Sequence, residues 1–281
     1  MLELLEDVLH DAIPMFPFLF VTYLLMEFLE HKGNDRFTKG LENARRLGPV
    51  LGALFGVIPQ CGFSVLAGGL YMNGTITLGT LIAVFISTSD EAIPILVSRP
   101  DQFSTLLAVI MVKLVIAVVV GYLVDSLVKN HHLKKNHPLK DIHADCEKEE
   151  EEHHGIVYIA FLHTIKIFVF VFAVNLLLSF VIHYVGEDTL KTLLASGSVM
   201  QPILAAIVGF IPNCAASVIL AQLYMDSVIS FGSLTAGLIT SAGLGLLVLL
   251  RMYDNKKDIA RILGILFLSA LISGILLQFF Q

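Results

Sequence analysis

Two short segments of this sequence carry the same unusual set of side chains within apolar surroundings. Residues 56–62 read GVIPQCG and residues 209–215 read GFIPNCA, so the two segments lie 153 positions apart. Each joins an amide, whose oxygen is a hard metal ligand, to a cysteine, whose thiolate is a soft one. The side chains concerned are Gln60, Cys61, Asn213 and Cys214. Because Pro-x-Cys alone is not a metal-ligand spacing, a tight turn with close packing is the alternative interpretation.

Carboxylates appear at a second pair of interruptions. Residues 87–94 read STSDEAIP and place Asp90 and Glu91 within an apolar stretch, whereas residues 240–245, 153 positions later, read TSAGLG. In a bilayer such a charge costs at least ~2.5 kcal/mol, so it usually marks a transport pathway or a paired group. The hydroxyls, glycines and downstream proline predict local unwinding. The alternative is that the helix ends at Ser87 and both carboxylates are interfacial. The hydroxyl residues at these two breaks are Ser87, Thr88, Ser89, Thr240 and Ser241.

The elements that hold these residues are membrane helices. The chain has 281 residues, of which 56% are hydrophobic and 15% charged, compared with about 25% charged in soluble domains. Its mean hydropathy is +0.81, and several stretches reach the ~20 apolar residues that a spanning helix needs. The N-terminal residues lack the pattern of a cleaved signal peptide. The sequence therefore predicts an all-α polytopic membrane protein.

The second half of the chain repeats the first. At a shift of 153 positions the halves align without a gap, and prolines, tyrosines and glycines stay in register. Matched pairs include Pro49 with Pro202, Tyr71 with Tyr224, Gly79 with Gly232 and Gly121 with Gly274. Chance similarity between apolar helices would not preserve these residue types. We interpret residues 1–128 and 155–281 as two transmembrane repeats, joined by a His- and Glu-rich cytoplasmic linker, 129–154.

The direction of the two repeats depends on residues 47–72. As one kinked span they give four crossings per repeat and parallel repeats. As a hairpin folded back at Pro59, each arm is only ~18–20 Å long at 1.5 Å per residue, which leaves three full crossings and inverted repeats. Only the hairpin places nearly all loop Lys and Arg on one side, which the positive-inside rule requires. We therefore predict inverted repeats, each with a re-entrant or broken-helix hairpin, ten helical segments in all, and both termini external.

Two further features could contribute to a metal pathway. Lys113 lies in mid-span, where it could pair with Asp90 or Glu91, snorkel to the interface or pack within the helix bundle. The linker holds six of the ten histidines, which together with carboxylates suit borderline transition metals. A disordered, solvated linker is the alternative interpretation. These histidines are His131, His132, His137, His143, His153 and His154.

The two kinds of break resemble those of a known family. A Gly-x-Ile-Pro-x-Cys segment followed about 25 residues later by Ser-Thr is similar to the ten-helix heavy-metal exporters, also labelled manganese transporters or arsenic efflux proteins. These are related to organoarsenical permeases. Those permeases often have a second Cys after Pro-x-Cys, where this chain has Gly62, and Pro-Gln after Ser-Thr, where it has Ser89-Asp90. Fewer thiols and added carboxylates favour a divalent cation over trivalent arsenic, and manganese prefers such oxygen ligands. Export, rather than import, is what the resemblance implies.

Three functions remain open at this point. The first is a secondary transporter in the cell membrane that exports a divalent transition metal, most directly manganese, through a midplane site between the repeats. The second is an efflux permease for arsenicals or other thiol-reactive solutes, and the third is a metal-sensing membrane protein whose linker binds metal. The sequence contains no phosphate-binding loop, so we do not expect an ATP-driven pump. We also expect a transporter rather than an enzyme. The expected partners are the bilayer and the metal ion, with no resident cofactor and no nucleic acid, and a homo-oligomer is left open.

Overall fold

The computed structural model describes residues 47–58, 61–72, 74–88, 92–97, 103–128, 200–211, 214–253 and 255–279, with single residues between 16 and 24 and between 158 and 176. These ranges contain ten α-helices and no strand. In the first half they are α1 (Gly48–Gly56), α2 (Cys61–Met72), α3 (Leu78–Ser87), α4 (Ala92–Val97) and α5 (Phe103–Leu127). In the second half they are α6 (Met200–Gly209), α7 (Cys214–Met225), α8 (Phe231–Thr240), α9 (Gly243–Met252) and α10 (Lys256–Phe279).

The helix boundaries follow the repeat of the sequence. A shift of 153 carries α2 onto α7 and α3 onto α8 residue for residue. Thr77 caps the N-terminus of α3 by accepting a hydrogen bond from the amide of Thr80, and Ser230 caps α8 in the same way through Ser233. Such caps satisfy amides that lack a partner within the helix. The same local sequence signals therefore begin the equivalent helix in both halves.

Three helices are long and apolar enough to cross a bilayer. They are Phe103–Leu127, Phe231–Met252, which joins α8 to α9, and Lys256–Phe279. The apolar part of Phe231–Met252 is 83% buried inside the protein. The apolar parts of Phe103–Leu127 and Lys256–Phe279 are only 28% and 33% buried. The chain is thus a multi-pass, all-helical membrane protein, and the broken span of the second half lies at its centre.

In each half, a central helix is flanked by two others at close range. In the first half, α1 and α5 pack on α3, and in the second half, α6 and α10 pack on α8. A glycine allows the closest approach: a β-carbon added at Gly121 would lie 2.9 Å from the carbonyl oxygen of Gly79. The equivalent pair, Gly274 and Gly232, gives 3.0 Å. Small residues at such crossings are typical of membrane helices, where backbones pack closely.

The contacts between α1 and α3 show that both helices run in the same direction. Gly48 and Gly52 face Thr80 near the start of α3, whereas Gly56 faces Ser87 at its end. The turn that follows α2 leads directly into α3, with the amide of Thr75 donating to the carbonyl of Leu70. The stretch from residue 48 to residue 77 therefore begins and ends at the same level of the molecule.

A helix of the first half runs alongside one of the second half. The amide of Gly245 in α9 donates to the hydroxyl of Ser64 in α2, at 3.2 Å. Further along both helices, the rings of Tyr71 and Tyr253 contact each other edge-on, with centroids 6.0 Å apart. Because the contact positions advance together along the chain, α2 and α9 run in the same direction.

Beyond this ring contact, a buried carboxylate organises the turn between α9 and α10. Asp258 accepts hydrogen bonds from the hydroxyl of Tyr253 at 2.9 Å and the side-chain amide of Asn255 at 3.1 Å, and it pairs with Arg261 at 3.2 Å. Burial is the main cause, and the hydrogen bond to Asp258 the second, of a pKa of Tyr253 that is raised to about 12. The neutral phenol is therefore the form that stabilises this turn.

This raised pKa predicts a loss of stability at high pH. The Tyr253 pKa is above the ordinary value of 10 in the folded protein, so its stabilisation is complete below pH 10 and disappears as the pH rises towards 12. We expect Tyr253→Phe to lower the free energy of unfolding by ~1 kcal/mol at pH 8 and to differ progressively less from the native protein between pH 10 and 12. Thermal unfolding in detergent across this pH range measures the difference, and a gap that stays constant up to pH 12 would contradict the assignment.

Candidate functional site

The described residues include some of the predicted site residues and leave out others. Ser87, Thr88, Lys113, Thr240 and Ser241 are described in full. Cys61 and Cys214 are the first residues of α2 and α7, as predicted for helices that restart after the proline breaks. The predictions for Gln60, Ser89, Asp90, Glu91, Asn213 and the six linker histidines lie outside the described residues.

The first of the central spans is broken inside the protein. α3 ends at Ser87, and Thr88 leaves the helical backbone with ψ of 131°. The helix resumes at Ala92, and both Thr88 and Ala92 are only 1% exposed. The hydroxyl of Ser87 donates to the carbonyl oxygen of Ala83 at 2.8 Å, which satisfies an acceptor in the last turn of α3. α3 therefore ends within the packed interior, while the position of the two carboxylates lies outside the described residues.

The second central span is broken at the equivalent position. α8 ends at Thr240, and α9 begins at Gly243, whose φ of 59° is the left-handed conformation that glycine adopts readily. In an unbroken helix, the amide of Ala242 would donate to the carbonyl of Leu238. It donates to the carbonyl of Thr240 instead, at 2.8 Å. The predicted break in 240–245 is thus confirmed, and it releases a backbone acceptor.

Each proline-containing segment approaches the break of the following span. A β-carbon at Gly56 would lie 2.6 Å from the carbonyl oxygen of Val84 and would overlap the hydroxyl of Ser87. In the second half, a β-carbon at Gly209 would overlap the hydroxyl of Thr240, which itself donates to the carbonyl of Ala206 at 2.8 Å. The sequence predicted the breaks separately. The structure brings them together in pairs, one pair in each half.

Lys113 contacts the broken spans of both halves. Its side chain is 1% exposed, so it packs within the helix bundle and does not snorkel to the interface, whereas the predicted pairing with Asp90 or Glu91 involves residues outside the described ones. The ammonium nitrogen lies 2.5 Å from the carbonyl oxygen of Thr88, at the end of α3, and 2.9 Å from that of Leu238, in the last turn of α8. A single cation therefore contacts the broken span of each half.

The backbone around this ammonium is electrostatically suited to a cation. The C-terminus of a helix carries roughly half a negative charge, and here two such ends meet at one nitrogen. The equivalent of Lys113 in the second half is Leu266, which is fully buried and apolar. The positive charge is thus supplied by the first repeat only, as are the two carboxylates that follow Thr88 in the sequence.

Gln201 is a buried polar residue near the second break that sequence reasoning missed. Gln201 is 3% exposed, and its amide oxygen accepts hydrogen bonds from the amide of Ser230 at 3.0 Å and the hydroxyl of Ser233 at 2.9 Å. Its counterpart in the first half is Gly48, so the repeat did not draw attention to it. The available signal was a lone amide side chain just before a proline in an apolar stretch. Gln201 holds the start of α8 and therefore helps to position the second break.

The close approach at Gly56 predicts a strong response to a single added methyl group. Gly56→Ala would push α1 away from Val84 and Ser87 at the first break, and overpacking of this kind destabilises by about 1–3 kcal/mol. We expect a lower unfolding temperature in detergent together with loss of transport. Gly264→Ala is the matched control, because nothing lies within 4 Å of a β-carbon there and alanine is the better helix former. Equal unfolding temperatures for the two variants would contradict the predicted packing.

Comparison with known proteins places the chain in a family. Among the described residues, no group of three or more His, Cys, Asp or Glu side chains could hold a metal ion. In the comparisons, no curated protein and no solved structure matches the chain. A family model described as "Putative, 10TM heavy-metal exporter" matches residues 3–174 and residues 161–281. Because these matches cover nearly the whole sequence, the chain belongs to this family.

Proposed function

We propose that this protein is a secondary transporter that exports a divalent transition metal, most directly manganese, across the cell membrane. The substrate would bind near the midplane, where the broken spans of two inverted repeats meet. The observation that carries the proposal is the convergence of α3 and α8 on the ammonium of Lys113. Discontinuous helices that meet in this way form the substrate and ion sites of many secondary transporters. The match to a family described as a heavy-metal exporter supports a metal substrate and outward transport.

The contacts of α1 and α3 support the re-entrant hairpin. Since α1 and α3 start at the same level, the stretch between them makes no net crossing of the membrane. Each repeat then crosses three times, once by its first span, once by the broken central span and once by α5 or α10. An odd number of crossings turns the second repeat upside down relative to the first.

The contacts of α2 and α9 support inversion independently. α2 runs back towards the start of α3, and α9 runs in the same direction as α2. Because α8 and α9 together form one span, the broken span of the second repeat runs opposite to that of the first. The C-terminal ends of α3 and α8 can then meet in the middle of the membrane, having entered it from opposite sides. With the loop charges assigned by the positive-inside rule, both termini lie outside the cell.

The charge around the break favours a divalent cation. The ammonium of Lys113 offsets about one unit of negative charge from the two helix ends. Asp90 and Glu91, which follow Thr88 in the sequence, are the carboxylates proposed to bind the metal. Their two negative charges would then match those of a divalent ion. Carboxylate and carbonyl oxygens are the ligands that manganese prefers, and Gln60 and Asn213 would add amide oxygens.

The carboxylates give the first test. We expect Asp90→Asn to reduce manganese export at least tenfold, because the site would lose one of the charges that balance the ion. Export is measured as manganese uptake by inside-out vesicles and as accumulation in cells that lack other exporters. Asp226→Asn is the control, since Asp226 lies exposed in the turn after α7. Full activity in Asp90→Asn would exclude the proposed role.

An arsenical permease is the second candidate. Its support is that Cys61 and Cys214 open α2 and α7 at equivalent positions, where two thiolates could bind a thiol-seeking solute. For a manganese exporter, we expect the double variant Cys61→Ser, Cys214→Ser to keep at least half of its manganese export and to leave arsenical resistance unchanged. Loss of arsenical resistance with intact manganese export would select the arsenical permease instead.

A further inference from the structure

The buried ammonium of Lys113 occupies a position built for a cation. Two backbone carbonyl oxygens, of Thr88 and Leu238, lie within 2.9 Å of its nitrogen. In secondary transporters, unwound carbonyls and the C-terminal ends of half-helices are the groups that coordinate Na⁺. The two spans therefore present to Lys113 the same kind of groups that would hold a free alkali cation.

Both carbonyls are available because the helices break where they do. Thr88 turns its carbonyl out of the helical ladder through its ψ of 131°, while its own hydroxyl donates to Val84 at 2.8 Å. Leu238 loses its normal helical partner because Ala242 donates to Thr240. Leaving such acceptors buried without a donor or a cation is unfavourable, so the ammonium of Lys113 stabilises this point by satisfying both.

We propose that Lys113 is a tethered replacement for a monovalent cation and that the backbone around it forms a latent alkali-cation site. In the native protein the ammonium fills this site permanently, so a bound Na⁺ or K⁺ is not needed to hold α3 and α8 together. When the lysine side chain is shortened, the site opens and binds Na⁺ or K⁺ between Thr88 and Leu238. The inference rests on the geometry of the two breaks and does not depend on which substrate is exported.

The site exists only once in the described part of the molecule. The position equivalent to Lys113 is Leu266 in α10, which is fully buried. An alkali cation held by Thr88 and Leu238 would link the two repeats as the lysine does, whereas a cavity at Leu266 would have no positive group to replace. Comparing alanine variants at Lys113 and Leu266 therefore separates the effect of losing a charge from the effect of losing side-chain volume.

The test compares the stability of purified variants in different salts. Lys113→Ala in detergent should unfold several degrees lower than the native protein in choline chloride. In NaCl or KCl at equal ionic strength, its unfolding temperature should rise by about 3 °C or more and saturate with concentration, as expected for a bound ligand. The variant should also bind ²²Na⁺ or ⁸⁶Rb⁺ with about one site per chain, whereas the native protein should bind neither at this site.

Two controls define the effect. Leu266→Ala should lower the unfolding temperature equally in all three salts, because it opens an apolar cavity. Lys113→Met should also be insensitive to the choice of salt, because its neutral side chain fills the space. Equal unfolding temperatures of Lys113→Ala in NaCl, KCl and choline chloride would overturn the proposal.

Failure to fold would count against the proposal as well. Cells contain both Na⁺ and K⁺, so the latent site would be occupied during synthesis, and Lys113→Ala or Lys113→Ser should accumulate in the membrane. Absence of both variants while Lys113→Met accumulates would overturn the inference. Since these readouts are stability and alkali-cation binding, a negative result would leave the proposal of metal export to be judged by the Asp90→Asn variant.

Discussion

A positive charge buried among membrane helices has to be compensated by the protein itself. Lys113 meets this requirement with the carbonyl oxygens of Thr88 and Leu238, one from the broken span of each repeat. Neither carbonyl would be free in a continuous helix, because the helical ladder uses every internal acceptor. The breaks and the lysine therefore stabilise each other: the unwound backbone gains a donor for its carbonyl oxygens, and the ammonium gains acceptors.

The two halves share the same helical architecture but differ in their charged residues. Helix boundaries, N-terminal caps and glycine contacts repeat at 153 positions. The charged residues do not: Leu266 corresponds to Lys113, and Gly243 and Leu244 correspond to Asp90 and Glu91. A repeated frame allows the two halves to exchange conformations, while a single set of charges provides one binding position. This combination is what the proposed function, a transporter with one metal site, requires.

Sequence reasoning predicted the elements better than their contacts. The breaks near Pro59 and Pro212 and within 240–245 followed from proline, glycine and hydroxyl residues, whose local preferences act without tertiary structure. The contact of Gly56 with Ser87, and the partner of Lys113, depend on how separate helices pack, and an apolar sequence carries little information about that. Snorkelling and packing within the bundle both stayed open for Lys113 because span length alone does not show which face of α5 is buried. Gln201 was missed since its counterpart is Gly48.

The most direct measurement tests whether the repeats are inverted, since the meeting of two half-helices at Lys113 depends on it. In a protein whose Cys61, Cys146 and Cys214 are replaced by serine, single cysteines are introduced at Thr75, Asp226 and Asn255, and intact cells are treated with a membrane-impermeant maleimide. We predict that only Asp226→Cys is labelled, and that Thr75→Cys and Asn255→Cys react only after the membrane is permeabilised. Labelling of Thr75→Cys and Asp226→Cys from the same side would show that the repeats are parallel and would contradict the account.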